Sequence, residues 1–148
     1  MKTFYKFLLL YIFITSLAPA EEVVFRSLKF NEVNSRGGPR IDFPVLYIYK
    51  LRGMPVKVIG EYDKWLKIVD KDGDAGWVSE HLLSKMRTII VVKDGEMLYS
   101  NYNEDAYPIS KIEKNVVAKL VKCKIGRCKV KVGKVKGRVD KNAIWGAE

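Results

Sequence analysis

Histidine and cysteine are almost missing from this chain. Its 148 residues include one histidine, His81, and two cysteines, Cys123 and Cys128. Two cysteines at that spacing lack the second pair of ligands a structural zinc site needs. A single histidine with no nucleophile or acid recognisable nearby reads as a surface residue rather than a catalytic base. No phosphate-cradling loop and no carboxylate pair stands out. Together these absences argue against an enzyme, a hydrolase included, and leave no cofactor or metal implied.

Long apolar runs are also scarce. The longest uncharged stretch, Phe7 to Ala20, has 14 residues, short of the roughly 20 that span a bilayer. Lys2 and Lys6 precede it, and Ala18-Pro19-Ala20 closes it with small residues. This pattern predicts a secretory signal over residues 1–20, cleaved before Glu21; retention as an anchor is the alternative. No cysteine lies near the cleavage point for lipid attachment. The expected location is the periplasm or cell envelope. An exported chain rarely meets nucleic acid, so none is expected as a partner, and the compartment permits a disulfide.

Acidic residues are the third scarcity, and it is local. From Glu21 to Met86 there are 11 basic and 10 acidic residues; from Arg87 to Glu148 there are 14 and 7. No acid falls between Glu113 and Asp140. The second half therefore carries almost all the positive charge, which favours anionic partners and is sensitive to salt.

No segment after the signal carries a long amphipathic helical pattern. Apolar positions recur instead with period two, between frequent turn signals, which predicts an all-β barrel or sandwich. Glu21–Phe30 reads as an entering strand. Asn31–Phe43, with Gly37-Gly38-Pro39, reads as a loop. Val45–Leu51 reads as a strand with Leu46 and Ile48 inward and Tyr47 and Tyr49 outward. MPVKVIGEYDKWLKIVD reads as a hairpin with a polar turn over Gly60–Lys64. Ala75–Val78 starts a short strand, and Ser79–Leu83 reads as one turn of 3₁₀ helix capped by Ser79. A weaker copy of this plan follows. VVAKLVKC matches PVKVIG, CKVKVG matches WLKIVD, Lys136–Val139 matches Ala75–Val78, and Asn142–Trp145 matches the closing segment. This alignment sets Cys128 against Trp65 and Arg138 against Trp77. A period near 60 residues fits tandem domains rather than a solenoid, and predicts units at 21–86 and 87–148.

The stretches VNSRGGP, PVLYIYKLRGMPVKVIGEYDKWLKI and GDAGWVSEHLLSKMRT, followed by CKIGRCKVKVG and AIWG, resemble the bacterial Src-homology-3-like family. The likeness is greatest to its exported tandem form, and covers nearly all of the chain after the signal. The resemblance implies two small Src-homology-3-like β-barrels that bind rather than transform. The family commonly has a tryptophan before the second cysteine and an aromatic after the glycine of the second Gly-x-Val. Here those places hold Arg127 and Arg138, so the second unit has exchanged aromatic surface for charge.

The candidate ligand residues are Arg36, Tyr47, Tyr49, Trp65 and Trp77. Trp65 and Trp77 suit a groove for an extended ligand, or else fill a small core. Outward Tyr47 and Tyr49 suit stacking on a peptide or sugar, or else simply favour the strand. Arg36 suits forked pairing with a carboxylate, or else bridges to a barrel acid. Lys129, Lys131 and Arg138 are candidates for anion contact, with a lysine-rich protective sheet edge as the alternative. Cys123 and Cys128 flank four residues of a hairpin, where opposed positions suit a structural disulfide; a redox-active pair is the minor reading. The expected function is a monomeric, non-enzymatic envelope module that binds peptidoglycan peptides or an extended segment of an envelope protein. The alternative is an interaction protein whose basic second barrel contacts an anionic polymer, lipid or envelope complex.

Overall fold

The computed structural model describes residues 22–148, so the expected signal lies outside the described residues. Period-two alternation produces short strands throughout. The first seven are β1 (Val24–Leu28), β2 (Val33–Arg36), β3 (Val45–Tyr49), β4 (Pro55–Tyr62), β5 (Trp65–Val69), β6 (Ala75–Ser79) and β7 (Leu83–Ser84). They form one antiparallel sheet in the order β3-β2-β6-β5-β4-β1-β7. The next seven are β8 (Thr88–Val91), β9 (Glu96–Tyr99), β10 (Pro108–Ile112), β11 (Val117–Lys124), β12 (Arg127–Val132), β13 (Val135–Asp140) and β14 (Ile144–Trp145). Their sheet runs β10-β9-β13-β12-β11-β8-β14, the same order position for position. A single 3₁₀ turn precedes the last strand of each, at Glu80–Leu82 and Lys141–Ala143. The fold is all-β, two small barrels of one topology in tandem.

Several local expectations need correction. The segment read as a loop contains β2, because Val33 and Ser35 find buried places between β3 and β6 that composition does not reveal. The β4–β5 turn is tighter than Gly60–Lys64: pairing continues to Tyr62 opposite Trp65, and Asp63 turns the chain at φ 50°. Ser79 makes no side-chain cap; its Oγ meets His81 Nδ1 at 2.8 Å instead. The two faces of β3 are reversed. Tyr49 is buried in the first core, whereas Leu46 and Ile48 are each 52% exposed. Tyr47 stacks on Tyr49 with ring centroids 6.4 Å apart and lies 3.3 Å from Asp74 Oδ1. A tyrosine can place its ring in the core while its hydroxyl reaches the Asp70–Asp74 turn, and neither Leu46 nor Ile48 can do both.

Leu28, Val33, Tyr49, Val56, Leu66, Ile68 and Val78 build the first core, and Ile89, Val91, Leu98, Ile112, Cys128, Val130 and Val139 build the second. The two are joined by β8, all four of whose residues are buried. Ile89 and Val91 enter the second core, while Ile90 enters the first. Trp145 and Val117, both from the second sheet, also pack against the first core. The ring of Phe25 meets that of Trp145 edge to face at 5.1 Å. A polar contact crosses as well: Thr88 Oγ1 donates to the Gly53 carbonyl at 2.7 Å, while Ser27 Oγ donates to the carbonyl of Met86, in the connection, at 2.9 Å.

Candidate ligand groove on the first sheet

Alternation places the candidate residues. Val33 and Ser35 of β2, Leu66 and Ile68 of β5, and Val78 of β6 are buried. Their neighbours Asn34, Arg36, Trp65, Lys67, Trp77 and Ser79 therefore project from the outer face. Register then brings these together: Trp65 pairs with Ser79, Lys67 with Trp77, and Trp77 with Arg36. Close approach of β2 to β6 depends on Gly76, where an added Cβ would lie 2.1 Å from Ser35 Oγ. Neither tryptophan fills the core, and both are half-buried on its outside.

A concavity of about 320 Å³ opens here, lined by Glu32, Asn34, Arg36, Ile41, Trp65, Ser79, His81 and Leu82. It offers an aromatic wall, an aliphatic rim, an acid, a base and several hydrogen-bonding groups. Arg36 Nη1 donates to the Phe43 carbonyl at 2.9 Å, which ties down the loop carrying Ile41. It makes no salt bridge to a barrel acid among the described residues. A second concavity of about 330 Å³, lined by Arg26, Lys64, Glu80, Leu83 and Lys85, shares Ser79 and His81 with the first. The two adjoin at those residues.

Of the candidates, Arg36 and Trp65 line the groove. Trp77 stands beside Arg36 in the register but outside the lining. Tyr47 and Tyr49 lie with the Asp70–Asp74 turn. The Asp74 carboxylate raises the phenol pKa of Tyr47, and burial followed by the Asp70 carboxylate raises that of Tyr49 well above its usual value. Sequence reasoning missed Asn34, Ile41 and His81. The alternation Val33-Asn34-Ser35-Arg36 was the available signal for Asn34. His81 carried none, since only the fold brings the turn after β6 against β2.

The second sheet shows what becomes of the same places. Arg127 pairs with Asp140, and Cys128 with Val139, so Arg127 rather than Cys128 is the counterpart of Trp65. Arg138 is the counterpart of Trp77 and pairs with Tyr99, which stands where Arg36 does. The arginine and the aromatic have exchanged strands. Both arginines are engaged by their own surroundings. Arg127 lies 4.2 Å from the Tyr99 ring centroid, 3.2 Å from Asp140 Oδ1, and donates to the Asn103 carbonyl at 3.1 Å. Arg138 lies over Tyr102 at 5.1 Å and donates to the Ser100 carbonyl. The loop after β9 thus occupies the groove's second copy. Cys123 and Cys128 form a disulfide between directly paired strand positions, around a two-residue turn at Ile125-Gly126 rather than a four-residue loop. Among the described residues no cluster of His, Cys, Asp and Glu has the makings of a metal site, and no helix is long and apolar enough to cross a membrane.

Residues 29–85 match the family model of the bacterial SH3 domain. No curated protein matches the chain. Among solved structures, NlpC2 from Trichomonas vaginalis is 14% identical over 85% of this chain and 49% of its own, with a TM-score of 0.39. NlpC1 from the same organism is 13% identical over 86% of this chain and 47% of its own, also at 0.39. An NlpC/P60 family protein from Bacillus cereus ATCC 10987 is 14% identical over 83% and 57%, with a TM-score of 0.38. The chain spans about half the length of these structures.

Proposed function

We propose that this protein, whose residues 29–85 match the family model of the bacterial SH3 domain, is a non-enzymatic binding module of the cell envelope. Its ligand is an extended peptide, a peptidoglycan stem peptide or a segment of an envelope protein, and its site is the groove of the first sheet. The observation that carries this reading is the meeting of Trp65, Arg36, Asn34 and His81 in one concavity. An extended peptide needs an apolar wall for a side chain and convergent polar groups to fix its direction. Trp65 and Ile41 supply the first. Asn34, Ser79 and the N–H donors of Arg36 not used on Phe43 supply the second, with the guanidinium suited to a ligand carboxylate. One hydroxyl–imidazole pair stands in the groove, Ser79 Oγ and His81 Nδ1 at 2.8 Å, but among the described residues no third group holds the other ring nitrogen of His81, as an activated serine requires.

The test is sedimentation with purified cell-wall sacculi, together with titration of soluble stem peptides followed by tryptophan fluorescence. Trp65→Ala and Arg36→Ala should each weaken binding about tenfold or more, as expected of central aromatic and arginine anchors. Failure to sediment at both low and high salt would remove the wall as the ligand. Turnover of wall fragments would replace a binding role with an enzymatic one.

A further inference from the structure

The outer face of β11, β12 and β13 carries bases in rows. Lys119 stands opposite Lys131, and Lys131 opposite Lys136. One outward step along the strands, Lys122 stands opposite Lys129, and Lys129 opposite Arg138. Like charges directly opposed across strands are destabilising. The same rows of the first sheet read Lys57, Val69 and Ala75, then Gly60, Lys67 and Trp77. That sheet has the same topology without opposed bases, so the fold does not require them. Nor do Lys129 and Lys131 protect an edge. β12 lies inside the sheet between β11 and β13, and the edges are β10 and β14. None of the five lysines has a carboxylate within 4.0 Å among the described residues.

The same hairpin holds a second oddity. Its tip is Ile125, 77% exposed and at φ 52°. A β-branched residue is poorly suited to the left-handed region, where asparagine or glycine is favoured. A disulfide closes the hairpin two positions before Ile125 and three after it, and Lys124 and Arg127 flank the turn. Val121, at the bulge in β11, is also exposed. Val121 and Ile125 thus set exposed aliphatic side chains beside unpaired lysines on one hairpin.

We infer that this face docks on an anionic lipid bilayer. The lysine rows hold the headgroup charge, and Ile125 enters the boundary between headgroups and acyl chains. A soluble polyanion would be gripped by the lysines alone and gives no reason for an isoleucine in a strained turn. A bilayer uses both, since interfacial binding combines charge attraction with apolar burial. The site is separate from the groove of the first sheet.

The test is co-sedimentation of the full chain, without its signal, with vesicles of phosphatidylglycerol in phosphatidylcholine or of phosphatidylcholine alone. The protein should bind the first and not the second. Lys129→Gln with Lys131→Gln should lower partitioning about 30-fold, at roughly 1 kcal/mol per base. Ile125→Asn should lower it about tenfold and raise the thermal midpoint, because asparagine relieves the turn; the raised midpoint shows that any lost binding is not misfolding. Trp65→Ala should bind vesicles as wild type, whatever the fate of the wall-peptide reading. Equal binding to both vesicle types overturns the proposal, as does binding to neither. A lysine effect with no Ile125 effect, and full competition by a soluble anionic polysaccharide, also overturns it in favour of a polymer surface.

Discussion

Tyr49 shows how one residue serves two environments. Its ring is buried in the first core, and its hydroxyl lies by the carboxylates of the Asp70–Asp74 turn. Burial and those carboxylates both oppose the phenolate, so its folded pKa stands above the unfolded value of about 10. Stability from this group is therefore complete below pH ~10 and is lost as pH rises beyond it, by up to about 1.4 kcal/mol per pH unit. Tyr49→Phe should flatten the alkaline limb of a urea-midpoint against pH curve. A limb of unchanged slope would count against the buried phenol. Trp65 teaches a related lesson at the same scale. A large aromatic in a small domain is expected inside, yet the alternation of β5 turns Leu66 inward and leaves Trp65 for the groove.

Strands were the most legible elements. β4, β5, β6, β11 and β12 follow directly from alternation and turn residues, as do the two closing 3₁₀ turns. β2 is hidden because its four residues, Val33 to Arg36, sit among Asn, Gly and Pro, and its contact with β6 comes from far along the chain. β3 is legible in its position but not in its buried face. VLYIY alternates apolar with amphipathic, and either face can be buried until β2 and the Asp70 turn decide it. The β11–β12 hairpin carries the element-scale prediction. Its disulfide closes a ring of only a few residues, worth about 2 kcal/mol by the chain-entropy estimate. Reduction should lower the urea midpoint accordingly and speed amide exchange first in β11 and β12. An unaltered midpoint would mean the packing of Cys128 and the paired strands already fixes the hairpin.

At the scale of the molecule, the two cores share β8, a strand of the second sheet. Thr88 and Ile90 face the first sheet's side, Ile89 and Val91 the second. Ile90→Ala, a change in the second sheet's strand, should therefore destabilise the first barrel by about 2–5 kcal/mol. Hydrogen exchange should show lost protection in β4 and β5. Faster exchange confined to β11–β14 would mean the barrels fold independently. With β8 as a common wall and Trp145 against Phe25, the groove and the lysine rows are held in one frame, and do not depend on the short connection from Lys85 to Arg87.

The residue order alone determined the all-β class, the repeat, the cysteine pairing and the uneven charge. Each depends on local period, spacing or composition, which folding does not change. The tertiary structure decided which face of each strand is buried, that Arg127 replaces Trp65, that His81 joins the groove, and that the lysines oppose one another inside the sheet. Those depend on register between strands distant in sequence. A shift of one residue in register exchanges core for surface, and no single strand carries the information that sets it.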